Sequence, residues 1–288
     1  MKKVLVTGGA GFVGSNLIRY LVKNTNFEVT SLDNYFTGKV ENHVRGAKYI
    51  KGSTQQIFEK VTHKPDIVYH FGEYSRVSTS FEDIEKVWNF NISGTNEVIK
   101  FCKEKESKLI YSASSTKFGD SGKNIFASPY ALSKSSNTDL INSYRDWFGL
   151  NSAICYFYNV YGAGQISKGK YATVIGIFEE QYRLGLPLTV TSPGTQKRDF
   201  THISDIVDGL FMLSRDDATG DGFCFGTGKS HSILEVAKLF TEKIDLIPPR
   251  PGERLNSSID LSRSSSLGWK AKKQLVNYIK EIKTLNIQ

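Results

Sequence analysis

The sequence predicts an α/β chain built on a doubly wound parallel sheet, followed by a smaller α/β lobe. Three observations carry this. Short β-rich runs alternate with longer segments of helical periodicity through the first half. A glycine-rich turn joins the first strand to the first helix. After about Gly162 the alternation gives way to shorter, less regular elements.

The β-rich runs are Lys3–Thr7, Glu28–Leu32, Lys48–Lys51, Asp66–Phe71, Lys108–Ser112 and Ser152–Tyr158. Between them apolar residues recur at helical spacing, as Val87, Ile92, Val98 and Phe101 do. Such alternation makes βαβ units with right-handed crossovers and helices on both faces of the sheet. Past Gly162 the pattern predicts a helix over Tyr171–Leu184, a strand at Leu188–Thr191 and a turn at Ser192-Pro193-Gly194. A helix from near Ile203, a strand near Phe223–Phe225 and a loop at Pro248-Pro249-Arg250-Pro251-Gly252 follow. The expected division is residues 1–165 and 166–288, with some later segments returning to the first domain and a ligand cleft between the two.

At 288 residues, with 39% hydrophobic and 23% charged residues, the chain has the composition of a globular protein. No apolar run is long enough to cross a membrane, so no membrane partner is expected. The basic start Met1-Lys2-Lys3 leads only into Val4-Leu5-Val6 before Thr7, too short an apolar run for a signal peptide. Cys102, Cys155 and Cys224 are odd in number and widely spaced, which suits neither a disulfide framework nor a zinc site. They read as reduced thiols of a cytoplasmic protein. The net charge of +8 comes from lysines scattered along helices, not from a stripe. That excludes a nucleic-acid surface and suits a small anionic substrate such as a diphosphate.

Gly8, Gly11 and Gly14 follow the first strand and open a helix through Phe12, Val13, Leu17, Ile18 and Leu21. Glycine permits the tight turn and the close approach of a pyrophosphate, and the helix N-terminus offers it unpaired N–H groups. Asp33, followed by Asn34, closes the second strand. A carboxylate there suits the adenosine ribose hydroxyls and repels a 2′-phosphate, which points to a Rossmann-type domain holding NAD rather than NADP.

Tyr130 and Lys134 stand four apart and share a face of a helix. An ammonium beside the phenol, with a positive nicotinamide, eases loss of the phenol proton. A phenolate can then take a hydroxyl proton. Ser112-Ala113-Ser114-Ser115-Thr116, just after the fifth strand, offers a hydroxyl to the same oxygen.

These motifs, with Tyr69-His70-Phe71-Gly72, Ser128-Pro129-Tyr130, Asn159-Val160-Tyr161-Gly162, Arg198-Asp199-Phe200-Thr201-His202 and Pro251-Gly252-Glu253-Arg254, span almost the whole chain. Together they resemble the extended short-chain dehydrogenases of the nucleotide-sugar epimerase/dehydratase family, the UDP-glucose 4-epimerases among them. The resemblance implies a bound and recycled NAD, a nucleotide-diphosphate sugar substrate and a homodimer. It implies Tyr130 as base and Lys134 as its partner and nicotinamide-ribose contact, with Ser114 as the catalytic hydroxyl. Phe71, Gly72 and Ser53 fall at cofactor positions. Asn159 and Arg198 match substrate contacts, Arg198 to the diphosphate, and Arg250 or Arg254 supplies a second phosphate contact. Ser115 and Thr116 occupy the two positions where the 4,6-dehydratases carry an Asp-Glu pair. The resemblance therefore favours 4-epimerisation over water elimination.

The chain departs from the family at Glu73, where a small residue is usual, at Lys117-Phe118, and at Ser53-Thr54, where an acidic residue is usual. Lys168 stands where the GDP-mannose 3,5-epimerases carry a catalytic lysine, although Thr116 replaces their cysteine. A dehydratase or 3,5-epimerase using Glu73, Lys117 and Lys168 is therefore the alternative enzyme, and an NAD-binding regulatory protein the non-enzymatic one. The dimer is expected to form through Ile84–Lys103 and Tyr130–Phe148, with Val87, Phe90, Ile99, Leu140, Tyr144 and Trp147 as candidate contacts.

Overall fold

The computed structural model describes residues 1–119, 126–252, 255 and 259–285. The first half follows the predicted alternation: β1 (Lys3–Thr7), α1 (Phe12–Asn24), β2 (Glu28–Asp33), β3 (Lys48–Lys51), the single-turn α2 (Ile57–Lys60) and β4 (Ile67–His70). Next, α3 (Ile84–Val87) runs through a π-helical stretch, Trp88–Ser93, into α4 (Gly94–Lys105). Then come β5 (Lys108–Ser114), α5 (Pro129–Phe148) and β6 (Ser152–Phe157). The second half holds β7 (Val160–Tyr161), α6 (Val174–Arg183), β8 (Leu188–Thr191), β9 (Lys197–Asp199), β10 (Thr201–His202) and α7 (Ile203–Met212). It ends with β11 (Gly220–Phe225), β12 (Ser230–Ser232), α8 (Ile233–Phe240), β13 (Ile244–Ile247), α9 (Ser262–Ser266) and α10 (Leu275–Leu285).

Seven strands form one parallel sheet in the order β11-β6-β5-β4-β1-β2-β3. Both faces are covered, as the near-continuous apolar strands require. Val4 and Val6 of β1 point to a core shared with Leu17 and Leu21 of α1 and Ile206 and Leu210 of α7. Leu5, between them, points to the opposite core with Val98 and Phe101 of α4 and Ile141 of α5. Two segments beyond residue 165 thus belong to this layer: β11 pairs with β6, and α7 packs on the α1 face.

The rest of the second half has its own core, where Phe178 of α6, Leu188 and Val190 of β8, Val236 and Phe240 of α8 and Ile279 of α10 meet. Strand order reverses between β1 and β4. In an open α/β sheet the crevice at the carboxyl ends of such strands is the ligand site. No helix among the described residues is long and apolar enough to cross a membrane.

Candidate active site

The carboxyl ends of β1, β2, β4, β5 and β6 surround one cavity of about 490 Å³. Gly8 leaves β1 with φ +71°, and a Cβ there would lie 2.8 Å from the Phe71 carbonyl carbon. A Cβ at Gly14 would lie 2.3 Å from the Gly8 carbonyl oxygen, so the turn closes onto α1 only with glycine at both places. The α1 N-terminus has no side-chain cap and no acidic residue in its first turn. Its N–H groups therefore stay open to a phosphate. Gly11, Phe12 and Val13 line the cavity here, and this cradle fits a dinucleotide.

Asp33 and Asn34 reach the same cavity from the end of β2. The Asp33 carboxylate accepts the Ala10 N–H at 2.8 Å and the Tyr35 N–H at 2.7 Å. Burial pushes its carboxyl pKa up, and these two donors oppose the rise. Phe71 and Gly72 line the cavity from the end of β4. Ser53 does not. It caps the short 3-10 turn Thr54–Gln56 through a capping box with Gln56.

Tyr130 enters the cavity because α5 begins just before it. The Ser128 side chain accepts the Ala131 N–H at 3.1 Å, and Pro129 occupies the first turn. Lys134 follows one turn later, and both side chains line the cavity. Ser114 is the last residue of β5. Its Oγ accepts from the Thr116 Oγ1 at 3.0 Å and the Thr116 N–H at 3.2 Å. A hydroxyl with both acceptor positions filled keeps its proton to donate, here into the cavity. Ser115 and Thr116 also line it.

Glu73, Asn159, Arg198 and Arg250 lie on the wall as well. Asn159 has φ +27°, and its Nδ2 donates to the Asp199 carbonyl at 2.9 Å, tying the end of β6 to β9 next to Arg198. Arg254 lies outside the described residues.

The proposed Glu73, Lys117 and Lys168 set does not assemble. Lys117 pairs with Asp139 at 3.0 Å, and Lys168 pairs with Glu180 at 3.0 Å; neither lines the cavity. Glu73 is sealed in a buried network with Lys134. One of its oxygens accepts from Thr95 Oγ1 (2.9 Å), Tyr111 OH (3.0 Å) and Asn137 Nδ2 (2.9 Å). His70 continues the network to Thr95 (2.9 Å) and Thr7 (2.7 Å), and burial pushes its pKa down to about 4. Sequence reasoning missed Thr95, Tyr111 and Asn137, as well as Arg76, which lines the cavity three residues after Glu73. The available signal was position: charged residues directly after a central strand face the crevice.

The sequence profile of the NAD dependent epimerase/dehydratase family matches residues 4–223. The chain belongs to this family. Family members similar to it include UDP-glucuronic acid decarboxylase 6 of Arabidopsis thaliana, 29% identical over 95% of this chain and 85% of that protein. The UDP-glucose 4-epimerase of Thermotoga maritima, solved with UDP-glucose, superposes with a TM-score of 0.89 at 26% identity, over 99% of this chain and 100% of the other. The UDP-glucuronic acid 4-epimerase of Bacillus cereus, solved with UDP-glucuronic acid and NAD, gives 0.87 at 25% identity over 98% and 99%. As in the rest of the family, the cofactor is NAD, and the chain is an NAD-dependent enzyme of nucleotide-sugar metabolism.

Proposed function

We propose that this protein is a UDP-hexose 4-epimerase that works through a transient 4-keto sugar. The observation that carries the reading is the meeting of Tyr130, Lys134 and Ser114 on one cavity with the glycine cradle. When bound, NAD supplies a reversible hydride acceptor. The chain's own residues do the rest. Tyr130, as phenolate, takes the proton of the reacting hydroxyl, and Ser114 donates a hydrogen bond to the same oxygen. Arg198 and Arg250 hold the diphosphate, and Asn159 fixes the strand that carries Arg198. Ser115 and Thr116 offer hydroxyls but no carboxyl group to protonate a leaving hydroxyl, which favours epimerisation over elimination. The first domain then serves the cofactor and residues 166–288 chiefly the nucleotide sugar. Three buried free thiols are consistent with a cytoplasmic protein.

A decarboxylase or dehydratase is the second reading, supported by relatives named UDP-glucuronic acid decarboxylase and dTDP-D-glucose 4,6-dehydratase. The experiment is NMR of UDP-glucose, UDP-glucuronate and dTDP-glucose incubated with the protein and with Tyr130→Phe. Formation of UDP-galactose that falls ~100–10,000-fold in the variant supports the reading. Turnover confined to loss of carbon dioxide or water rejects it.

A further inference from the structure

Between β7 and α6 the chain forms no strand or helix, yet one side chain fixes it to the segments that leave β2 and β4. Ala172 and Thr173 of this stretch line the cavity, and Tyr171, just before them, sits in a socket. Its ring meets Phe36 edge-on, with ring centres 5.1 Å apart, and Tyr74 at 5.9 Å. Its hydroxyl donates to Asp83 at 2.9 Å. Its carbonyl accepts from the Arg76 guanidinium, Nε at 2.8 Å.

Asp83, the residue before α3, is 7% exposed and committed to this socket. One of its oxygens accepts from the Tyr74 hydroxyl at 3.0 Å as well as from Tyr171, and pairs with Lys170 at 3.0 Å. The other pairs with Lys86 at 2.8 Å. Lys86, then Lys170, hold the carboxyl well below the usual carboxylate range, so the Tyr171 hydroxyl donates to an anion. Such a charge-assisted bond is stronger than one between neutral groups. The ion pair with Lys170 adds less, because that ammonium is 38% exposed and screened by water.

The socket continues the cofactor wall. Phe36 follows Asp33 and Asn34, Arg76 follows Phe71 and Gly72, and all of them line the cavity. Tyr171 is half-buried, so the contact lies at the rim. It ties a segment of the second half of the chain to two segments that flank the dinucleotide cradle. Its partners are all protein groups, so docking does not depend on which nucleotide occupies the cavity.

We propose that Tyr171 is a latch on the cofactor: docked on Asp83 it closes the rim over NAD, and NAD enters or leaves only while the phenol is withdrawn. A cofactor that is recycled must stay in place over many turnovers, and the latch slows its loss. The inference goes beyond the 4-epimerase reading and rests only on the NAD site.

The test uses NADH and no nucleotide sugar, so its failure leaves the 4-epimerase reading untouched. Stopped-flow fluorescence follows NADH binding to stripped protein, and its displacement from loaded protein by excess NAD, in the wild type, Tyr171→Phe and Asp83→Asn. Tyr171→Phe removes the hydroxyl alone. Its entry and release rates should both rise at least about tenfold, the scale of one hydrogen bond to a charged group. Affinity should change much less, because a latch obstructs entry and exit alike. Asp83→Asn should act in the same direction. An unchanged release rate in Tyr171→Phe overturns the proposal. Release that rises while entry does not also overturns it, since the residue would then be a binding contact. If Asp83→Asn fails to fold, Tyr171→Phe decides alone.

Discussion

Glu73 and Lys134 face each other as a buried ion pair, the carboxylate from the segment leaving β4 and the ammonium from the second turn of α5, with side chains 2% and 5% exposed. Removing one partner of such a pair leaves the other charge buried and uncompensated, at about 3–5 kcal/mol. Glu73→Ala should lower the unfolding free energy by about that much in urea melts. The double variant Glu73→Leu with Lys134→Met should lose clearly less than the sum of its single changes. Additive losses would show that the two groups do not support each other.

Acid should destabilise the protein through His70. Its pKa is held near 4 against an ordinary 6.5, so the unfolded chain binds a proton that the folded chain refuses. Stability from this group is fully present above pH 6.5 and is lost as pH falls toward 4, by about 3 kcal/mol in all. Denaturant melts from pH 7.5 to 4 should show that decline, and His70→Gln should flatten it. An equal slope in the variant would assign the decline to other groups.

Asp33 should set cofactor choice. Both its oxygens hold backbone N–H groups of the turn, which fixes the carboxylate at the cavity wall. Calorimetry on stripped protein should show NAD binding at least about tenfold tighter than NADP, a difference of about 1.4 kcal/mol. Asp33→Asn should narrow the ratio. Equal affinities in the wild type would remove Asp33 from this role.

We propose pairing of two chains through the α3–α4 and α5 faces. Val87 and Ile99 are fully buried within the subunit and cannot serve. Ile84, Trp88, Leu132 and Trp147 are exposed on these helices and offer apolar contact instead. Light scattering at micromolar concentration should give twice the 32.2 kDa chain mass, and Trp88→Glu should reduce it. A monomer in the wild type would exclude the pairing.

Much of the fold could be read along the chain because its signals are local. The turn at Gly8, Gly11 and Gly14, the caps around Ser128 and Pro129, and the apolar runs of the strands each act within a few residues. The cavity residues were legible for the same reason, since strand ends and helix starts place them. What spans the chain was not. Glu73 meets Lys134 across 61 residues, and Lys168 is drawn to Glu180 on the next helix, where no motif marks the contact. The capping box that Ser53 forms with Gln56 is itself local, within four residues. That some later segments return to the first domain was expected, but which ones do, β11 and α7, depends on packing partners more than fifty residues away.

The most direct measurement is NMR of UDP-glucose turnover in deuterated water. Tyr130 and Ser114 handle only a hydroxyl proton in this account, and no described carbon base stands free on the cavity wall, since Glu73 is bound to Lys134. The account predicts UDP-galactose with no deuterium on any carbon of the sugar. Deuterium at C3 or C5 would contradict it.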